Sequence, residues 1–292
     1  MKKWGFLLFL VVCLGFSMVN IDAFFQEGVE INPLNQKVKE LFDKEPSGDF
    51  EWKVINEEQI YQGNLLLVNK DYPVHRDSTK KDIINLLAHQ ELTRGFGINS
   101  GEMYLSKSIV QKFSEMIEAA KKDGVCDFLI NSGFRDFAEQ SALFEEMGAN
   151  YALPAGNSEH NLGLSLDVGS TQTRMSEAPE GKWMEKNVWR YGFILRYPKD
   201  KTEVTGIQFE PWHIRYVGLP HSAIMHKKNL VLEEYLDYLK KKVSITAIVN
   251  REKYKISYYP ISKSTKVKVP ENQKYEISGN NMDGVIVTVF EK

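Results

Sequence analysis

Cysteine is nearly missing from this chain. Only Cys13 and Cys126 occur in 292 residues, and Cys13 lies inside an apolar run. The rest of the chain therefore cannot close an internal disulfide. An exported protein built this way must be held by its core or by a metal, which suits a bacterial surface better than a eukaryotic secretory pathway. Long blocks of one charge are also missing: 37 basic and 39 acidic residues leave a formal charge of −2, spread along the chain. The electrostatic drive for nucleic-acid binding is absent, so no nucleic-acid partner is expected. No internal repeat or low-complexity tract is present, and nothing in the chain implies a protein partner. With 42% hydrophobic and 26% charged residues the composition is that of a folded globular protein.

One hydrophobic run is present. Met1-Lys2-Lys3 is followed by an uncharged stretch from Trp4 to Val19 that continues to Asp22, approaching the roughly 20 residues that span a bilayer as a helix. Lysines precede it, and Asp22, Glu27 and Glu30 follow. The positive-inside tendency then keeps the N-terminus in the cytoplasm and exports the remainder. A cleaved signal peptide gives the same export with a soluble product. No small-x-small cleavage pattern stands out, however, and Val12 precedes Cys13 where a lipoprotein signal wants a small residue. The expectation is a single-pass anchor over 1–25, with the bulk of the chain outside a bacterial membrane.

Residues 26–60 mix charges with Pro33, Pro46 and Ser47-Gly48 and read as a linker or stalk. From Tyr61 the texture tightens. Leu65 to Val68 reads as a short buried strand, and Ser106 to Lys122 places Ile109, Val110, Phe113, Met116, Ile117 and Ala120 at helical spacing behind a serine cap. Phe128 to Ile130 is strand-like, and Asp136 to Met147 is helical. Gly163 to Val168 alternates, which places Gly163, Ser165 and Asp167 on one strand face and the apolar residues on the other. Leu230 to Lys242 reads as a closing helix. Val243 to Val249, Tyr254 to Tyr259 and Val285 to Phe290 are β-rich, with turn chemistry at Asn280 to Gly284. The division expected is an α+β domain over 61–240 and a small β-rich unit over 241–292.

The six histidines are His75, His89, His160, His213, His221 and His226, and no His-Glu-x-x-His helix exists, which excludes the common zincin arrangement. Two pieces remain: Ser158-Glu159-His160 with Asp167 seven residues on, and Glu210-Pro211-Trp212-His213. Zinc hydrolases use three protein ligands and keep a fourth position open, so two imidazoles and one carboxylate suffice. A further carboxylate beside such a metal can take a proton from the attacking water and pass it to the leaving amine. Read alone, however, such histidines and acids also occur as packed, capping or surface residues.

The constellation resembles the signature of the zinc D-alanyl-D-alanine peptidases related to VanX and VanY. Ser158, His160, Gly163, Ser165 and Asp167 match its first part, Glu210 and His213 its second, and Ser132-Gly133-Phe134-Arg135 with Gln140 a third. The similarity to the VanY-type carboxypeptidases runs from the apolar run to the β-rich tail. It implies a D-Ala-D-Ala peptidase/hedgehog-like fold and one zinc ion bound by His160, Asp167 and His213. Glu210 would be the catalytic base, and Arg135 would polarise the scissile carbonyl and stabilise the oxyanion, with Gln140 and Ser158 at the substrate's terminal carboxylate. Ser165 stands where the family has alanine, a small-for-small change on the face of Asp167. Trp212 is expected in the core, and the other four histidines are not expected as ligands.

The implied activity is a zinc D,D-carboxypeptidase that removes the terminal D-alanine from peptidoglycan precursor pentapeptides ending in D-Ala-D-Ala, contributing to glycopeptide resistance. Three rivals stand beside it. A serine acyl-enzyme would use Ser78-Thr79-Lys80-Lys81 and Ser278-Gly279-Asn280, but Lys-Thr-Gly is missing. An idle zinc-containing wall-binding module would not need base, ligands and arginine together. A dipeptidase would act on a cytosolic dipeptide, which fits export poorly.

Overall fold

The computed structural model describes residues 29–33, 50–99, 101–149, 152–262 and 265–291. The expected anchor lies outside these residues, and no helix among the described residues is long and apolar enough to cross a membrane. In chain order the strands are β1 (Glu30–Pro33), β2 (Phe50–Val54), β3 (Ile83–Asn85), β4 (Gly97–Ile98), β5 (Tyr104–Ser106), β6 (Phe128–Ser132), β7 (Ser165–Ser170), β8 (Phe193–Tyr197), β9 (Glu210–Tyr216), β10 (Ser244–Val249), β11 (Glu252–Pro260), β12 (Lys266–Pro270), β13 (Tyr275–Gly279) and β14 (Gly284–Glu291).

Two five-stranded sheets organise the molecule. The central one runs β4-β6-β7-β9-β8, antiparallel except for the β4–β6 pair. Strand β7 alternates as its sequence predicts: Leu166 and Val168 enter the main core, while Ser165 and Asp167 take the other face. Across the core lies the helix Lys107–Lys122, which buries Ile109, Val110, Phe113, Met116, Ile117 and Ala120. At roughly 1.5–3 kcal/mol for each large side chain, this stripe contributes on the order of 10 kcal/mol before entropy is counted. Ser106 precedes the helix but makes no cap bond with its side chain. Asp82 caps instead, taking Ser108 N–H at 2.9 Å on Oδ2 and the Ser106 hydroxyl at 2.7 Å on Oδ1.

The second sheet runs β1-β10-β11-β14-β13 and shares a core with the first. Leu65, Leu67, Ile194, Val217 and Ile224 meet Ile245, Ile256 and Ile286 there, with Tyr235 and Leu236 of the helix Leu232–Lys242 between them. The small β unit is thus packed into the molecule.

Two local expectations need correction. The stretch 26–60, expected as a stalk, is built into the fold where it is described. β1 pairs with β10, β2 pairs with β12, and Ile55 and Ile60 are buried beneath Val267, Val269 and Val287. Strands of four and five residues with mixed charge are too short to show a period. Leu65 to Val68 is buried but joins no ladder. Its backbone is satisfied otherwise: Leu65 N–H donates to Ser278 Oγ, Leu67 N–H to the Asn280 carbonyl, and the Leu66 carbonyl accepts from Arg215. Two long-range side chains and one distant backbone carbonyl do here what a neighbouring strand would do.

Candidate zinc site

Three segments bring the predicted ligands together. A 3-10 turn, Glu159–Leu162, carries His160 and ends at Gly163, whose φ of +77° favours glycine. A Cβ at Gly163 would also fall 2.6 Å from Ile83. Asp167 and His213 are direct cross-strand partners in the β7–β9 register. Their facing side chains make a 3.0 Å contact between His213 Nδ1 and Asp167 Oδ1, and His160 Nε2 lies 3.3 Å from Asp167 Oδ2. His160, Asp167 and His213 each offer a ligand atom within 4.8 Å of the others.

Both histidine rings are held from behind. His160 Nδ1 lies 2.6 Å from the Gly133 carbonyl; a carbonyl only accepts, so Nδ1 carries the proton and Nε2 presents its lone pair. Gly133 must be glycine because a Cβ would sit 2.3 Å from the Tyr104 carbonyl. His213 Nε2 faces Glu159 Oε2 at 3.4 Å, leaving Nδ1 toward Asp167. Two imidazole nitrogens and a carboxylate aimed at one point, each oriented by a second partner, fit a zinc ion's preferences.

Glu210 and His213 are three apart, which in a regular strand would place them on opposite faces. The β8–β9 ladder shifts register between Leu195 and Tyr197, so that Tyr197 pairs with Glu210 and Leu195 with Ile214. This bulge returns Glu210 to the site, with Oε2 3.8 Å from His213 Nδ1. Arg135 follows β6 and is half-buried. It donates from Nε to Gln140 Oε1 and from Nη1 to Ser132 Oγ, both at 2.9 Å. Its backbone N–H donates to the His160 carbonyl at 3.2 Å, and Asn161 Nδ2 donates to the Arg135 carbonyl at 2.8 Å, so two hydrogen bonds tie the arginine loop to the histidine turn.

Gln140 and Ser158, expected at the substrate, each also have a partner inside the protein. Gln140 is buried, accepting from Arg135 and donating from Nε2 to the Leu153 carbonyl at 2.6 Å. Ser158 Oγ accepts from the His160 N–H at 3.3 Å. Trp212, expected in the core, is 39% exposed because it points away from the face that carries His213. Of the remaining histidines, His75 stacks on Tyr61, His226 stacks on Trp189, and His221 is buried against Tyr235 and Thr288. A cavity of about 350 Å³ lies beside the site, lined by Val68, Leu153, Arg196, Tyr197 and Thr205 among others. The Tyr197 ring stands 5.0 Å from that of His213.

Charges follow from this geometry. Burial opposes the charged form of His213, but hydrogen bonds to Asp167 and Glu159 outweigh it and push its pKa up to about 9. Burial would raise Asp167, and His160 and His213 instead hold it far below the usual carboxylate range. Burial lowers His160, whereas it raises Glu210 above an ordinary carboxyl, helped by the charges of Asp167 and Glu159. Arg135 is lowered by burial and keeps its charge. Three buried groups escaped the sequence reading: Glu159, Arg196 and Arg215. A visible signal existed for two of them, since Glu159 adjoins His160 and Arg215 shares a strand face with His213.

Comparisons agree with this geometry. The profile of the VanY family, D-alanyl-D-alanine carboxypeptidase, matches residues 102–219. A D-alanyl-D-alanine carboxypeptidase of Enterococcus faecium is 61% identical over 99% of this chain and 97% of its own length. Among solved structures, the vancomycin resistance D,D-dipeptidase VanXYg, in complex with a D-Ala-D-Ala phosphinate analog, is similar with TM-score 0.73 and 30% identity, over 84% of this chain and all of that one. A VanY D,D-pentapeptidase mutant from a VanB-type resistance cassette, in complex with Zn(II), matches with TM-score 0.50 and 29% identity, over 59% of this chain and 98% of that one. With near-complete coverage at 61% identity and the expected ligand set assembled, the chain belongs to the VanY family of D-alanyl-D-alanine carboxypeptidases.

Proposed function

We propose that this protein is a zinc D,D-carboxypeptidase that hydrolyses the terminal D-alanine from peptidoglycan precursors ending in D-Ala-D-Ala, and so contributes to glycopeptide resistance. One observation carries the reading: ligand atoms of His160, Asp167 and His213 converge within 4.8 Å, and a non-ligand carboxylate, Glu210, stands 3.8 Å from His213. Zinc supplies a Lewis acid that polarises the scissile carbonyl and acidifies the attacking water.

Glu210 takes a proton from the water as its oxygen bonds to the carbonyl carbon, and returns that proton to the amine nitrogen as the C–N bond breaks. Its raised pKa suits both transfers. Arg135, fixed by Gln140 and Ser132, directs a permanent positive charge at the developing oxyanion. Gln140 acts through Arg135. Ser158, whose oxygen already accepts from His160, retains its hydroxyl proton for the substrate's terminal carboxylate.

The test is release of D-alanine from a precursor pentapeptide by the purified full-length protein, before chelation, after it and after zinc return. His160→Ala, Asp167→Ala and His213→Ala should each lower bound zinc and abolish hydrolysis, since a three-ligand site has no spare donor. Stoichiometric zinc in all three variants would overturn the site.

We further propose that residues 1–25 anchor the chain, with the catalytic domain outside the cytoplasmic membrane, on the strength of the lysine-flanked apolar run. Protease treatment of intact protoplasts should degrade the domain; full protection would reverse the topology.

A further inference from the structure

Behind His213 lies a closed cluster of charge that the reaction does not consume. Glu159 is 1% exposed, and both carboxylate oxygens are engaged. Oε1 accepts from Arg196 Nε at 2.8 Å and from Arg215 Nη1 at 2.7 Å. Oε2 accepts from Ser165 Oγ at 3.1 Å and faces His213 Nε2 at 3.4 Å.

The two arginines are themselves pinned. Arg196 makes a paired contact with Glu233 on the helix Leu232–Lys242, at 2.9 and 2.7 Å. Arg215 Nη2 donates to the carbonyls of Asn64 and Leu66 at 3.1 and 2.9 Å. Burying a carboxylate and two guanidiniums is costly in its own right, and apolar side chains of the same volume would often be as stable. A stability role therefore accounts poorly for the cluster, whereas the ring that the Glu159 carboxylate touches belongs to the zinc site.

We infer that Glu159 is the positioning residue of the zinc site: its Oε2 holds the proton of His213 on Nε2, which leaves the Nδ1 lone pair for the metal. Arg196 and Arg215 keep the acceptor ionised and immobile by filling Oε1. Ser165 supplies a fourth donor and fixes the rotation of the carboxylate, which gives a purpose to serine at that position. Glu159 does not touch substrate; it acts through His213. The inference rests on the zinc peptidase reading.

Glu159→Gln tests it with little change in shape. The two arginines require an acceptor at Oε1, so the new amide would turn its N–H toward His213 Nε2 and favour the tautomer that carries its proton on Nδ1. In the full-length protein, zinc affinity measured by competition with a chelator should fall about 10–100-fold, the usual cost of losing an outer-shell partner. The visible spectrum of the cobalt-substituted variant should change, while KM at saturating zinc should shift less than about threefold. Wild-type zinc affinity and an unchanged cobalt spectrum in Glu159→Gln would overturn the inference. A second measurement needs no variant: nitrogen-15 histidine NMR of the zinc-loaded wild type should show His213 protonated on Nε2 and His160 on Nδ1. A proton on Nδ1 of His213 would also overturn it. Failure of the wild type to bind zinc at all would remove the parent reading and this inference together.

Discussion

The two sheets bury polar groups of different kinds. Around the C-terminal sheet the buried polar side chains are neutral, and each serves as a local clamp. Asn281 Nδ2 reaches the carbonyls of Leu67, Tyr72 and Pro73, Asn280 Oδ1 collects three backbone N–H groups, and His221 bridges Tyr235 and Thr288. Around the central sheet neutral groups such as Ser106 and Asn161 are buried too, but at the site the charged and titratable ones converge: Glu159, Arg196, Arg215, His160, Asp167 and His213 form one connected set. Neutral clamps replace missing ladder bonds at modest cost, whereas buried charge is tolerated only when fully paired. The charged sheet is therefore organised around a ligand, and the neutral one around the chain itself.

Substitutions should separate the two regions, and the largest effect belongs to the charged sheet. Glu210→Gln should keep zinc while kcat falls by at least about 10²–10⁴-fold, the range expected for a lost general acid–base. Parallel measurement of metal content and turnover checks this, and loss of metal would make Glu210 a ligand instead. Arg135→Lys keeps a charge but loses the planar fork that spans Gln140 and Ser132. A drop of about 10²-fold in kcat with unchanged zinc is expected, and wild-type turnover would leave Arg135 as diffuse charge only.

The neutral region should respond in stability and not in chemistry. Burial pushes His221 down to about 3, against about 6.5 when unfolded. Between those values the unfolded chain holds a proton that the folded chain lacks. The contribution is therefore complete above about pH 6.5 and is lost as pH falls toward 3, on the order of a few kcal/mol. His221→Gln should flatten that part of the stability curve, measured by denaturant unfolding at several pH values, with kcat of the folded enzyme little changed. An unaltered pH slope would show that His221 does not titrate as its burial requires.

Much of the site was legible before any coordinates. The alternation through Ser165 and Asp167 placed the acid on the correct face, and the helix over Lys107–Lys122 followed from apolar spacing alone. The resemblance in the ligand motif then named the chemistry. The serine acyl-enzyme rival fails on structure: Ser278 Oγ is occupied by Leu65 N–H and the Gly279 carbonyl, and Ser78 is buried. The motif did not show which atoms Gln140 and Ser158 touch, the Arg135 Nε–H for one and the His160 N–H for the other, because it records only that a residue recurs near a site. The strands within 26–60 were missed because their partners lie some 200 residues away in β10 and β12.

By itself the sequence determined the types of the converging metal-ligand candidates and the strand face of Asp167. These depend on short-range periodicity and on residue chemistry, both written locally. Tertiary structure alone decided the rest. The bulge in the β8–β9 ladder brings Glu210 round to His213, and distant arginines close on Glu159. The early strands are recruited into the tail's sheets. Each of these joins residues far apart in the chain, and which partner satisfies a buried charge or an unpaired strand edge is settled only when the whole core closes.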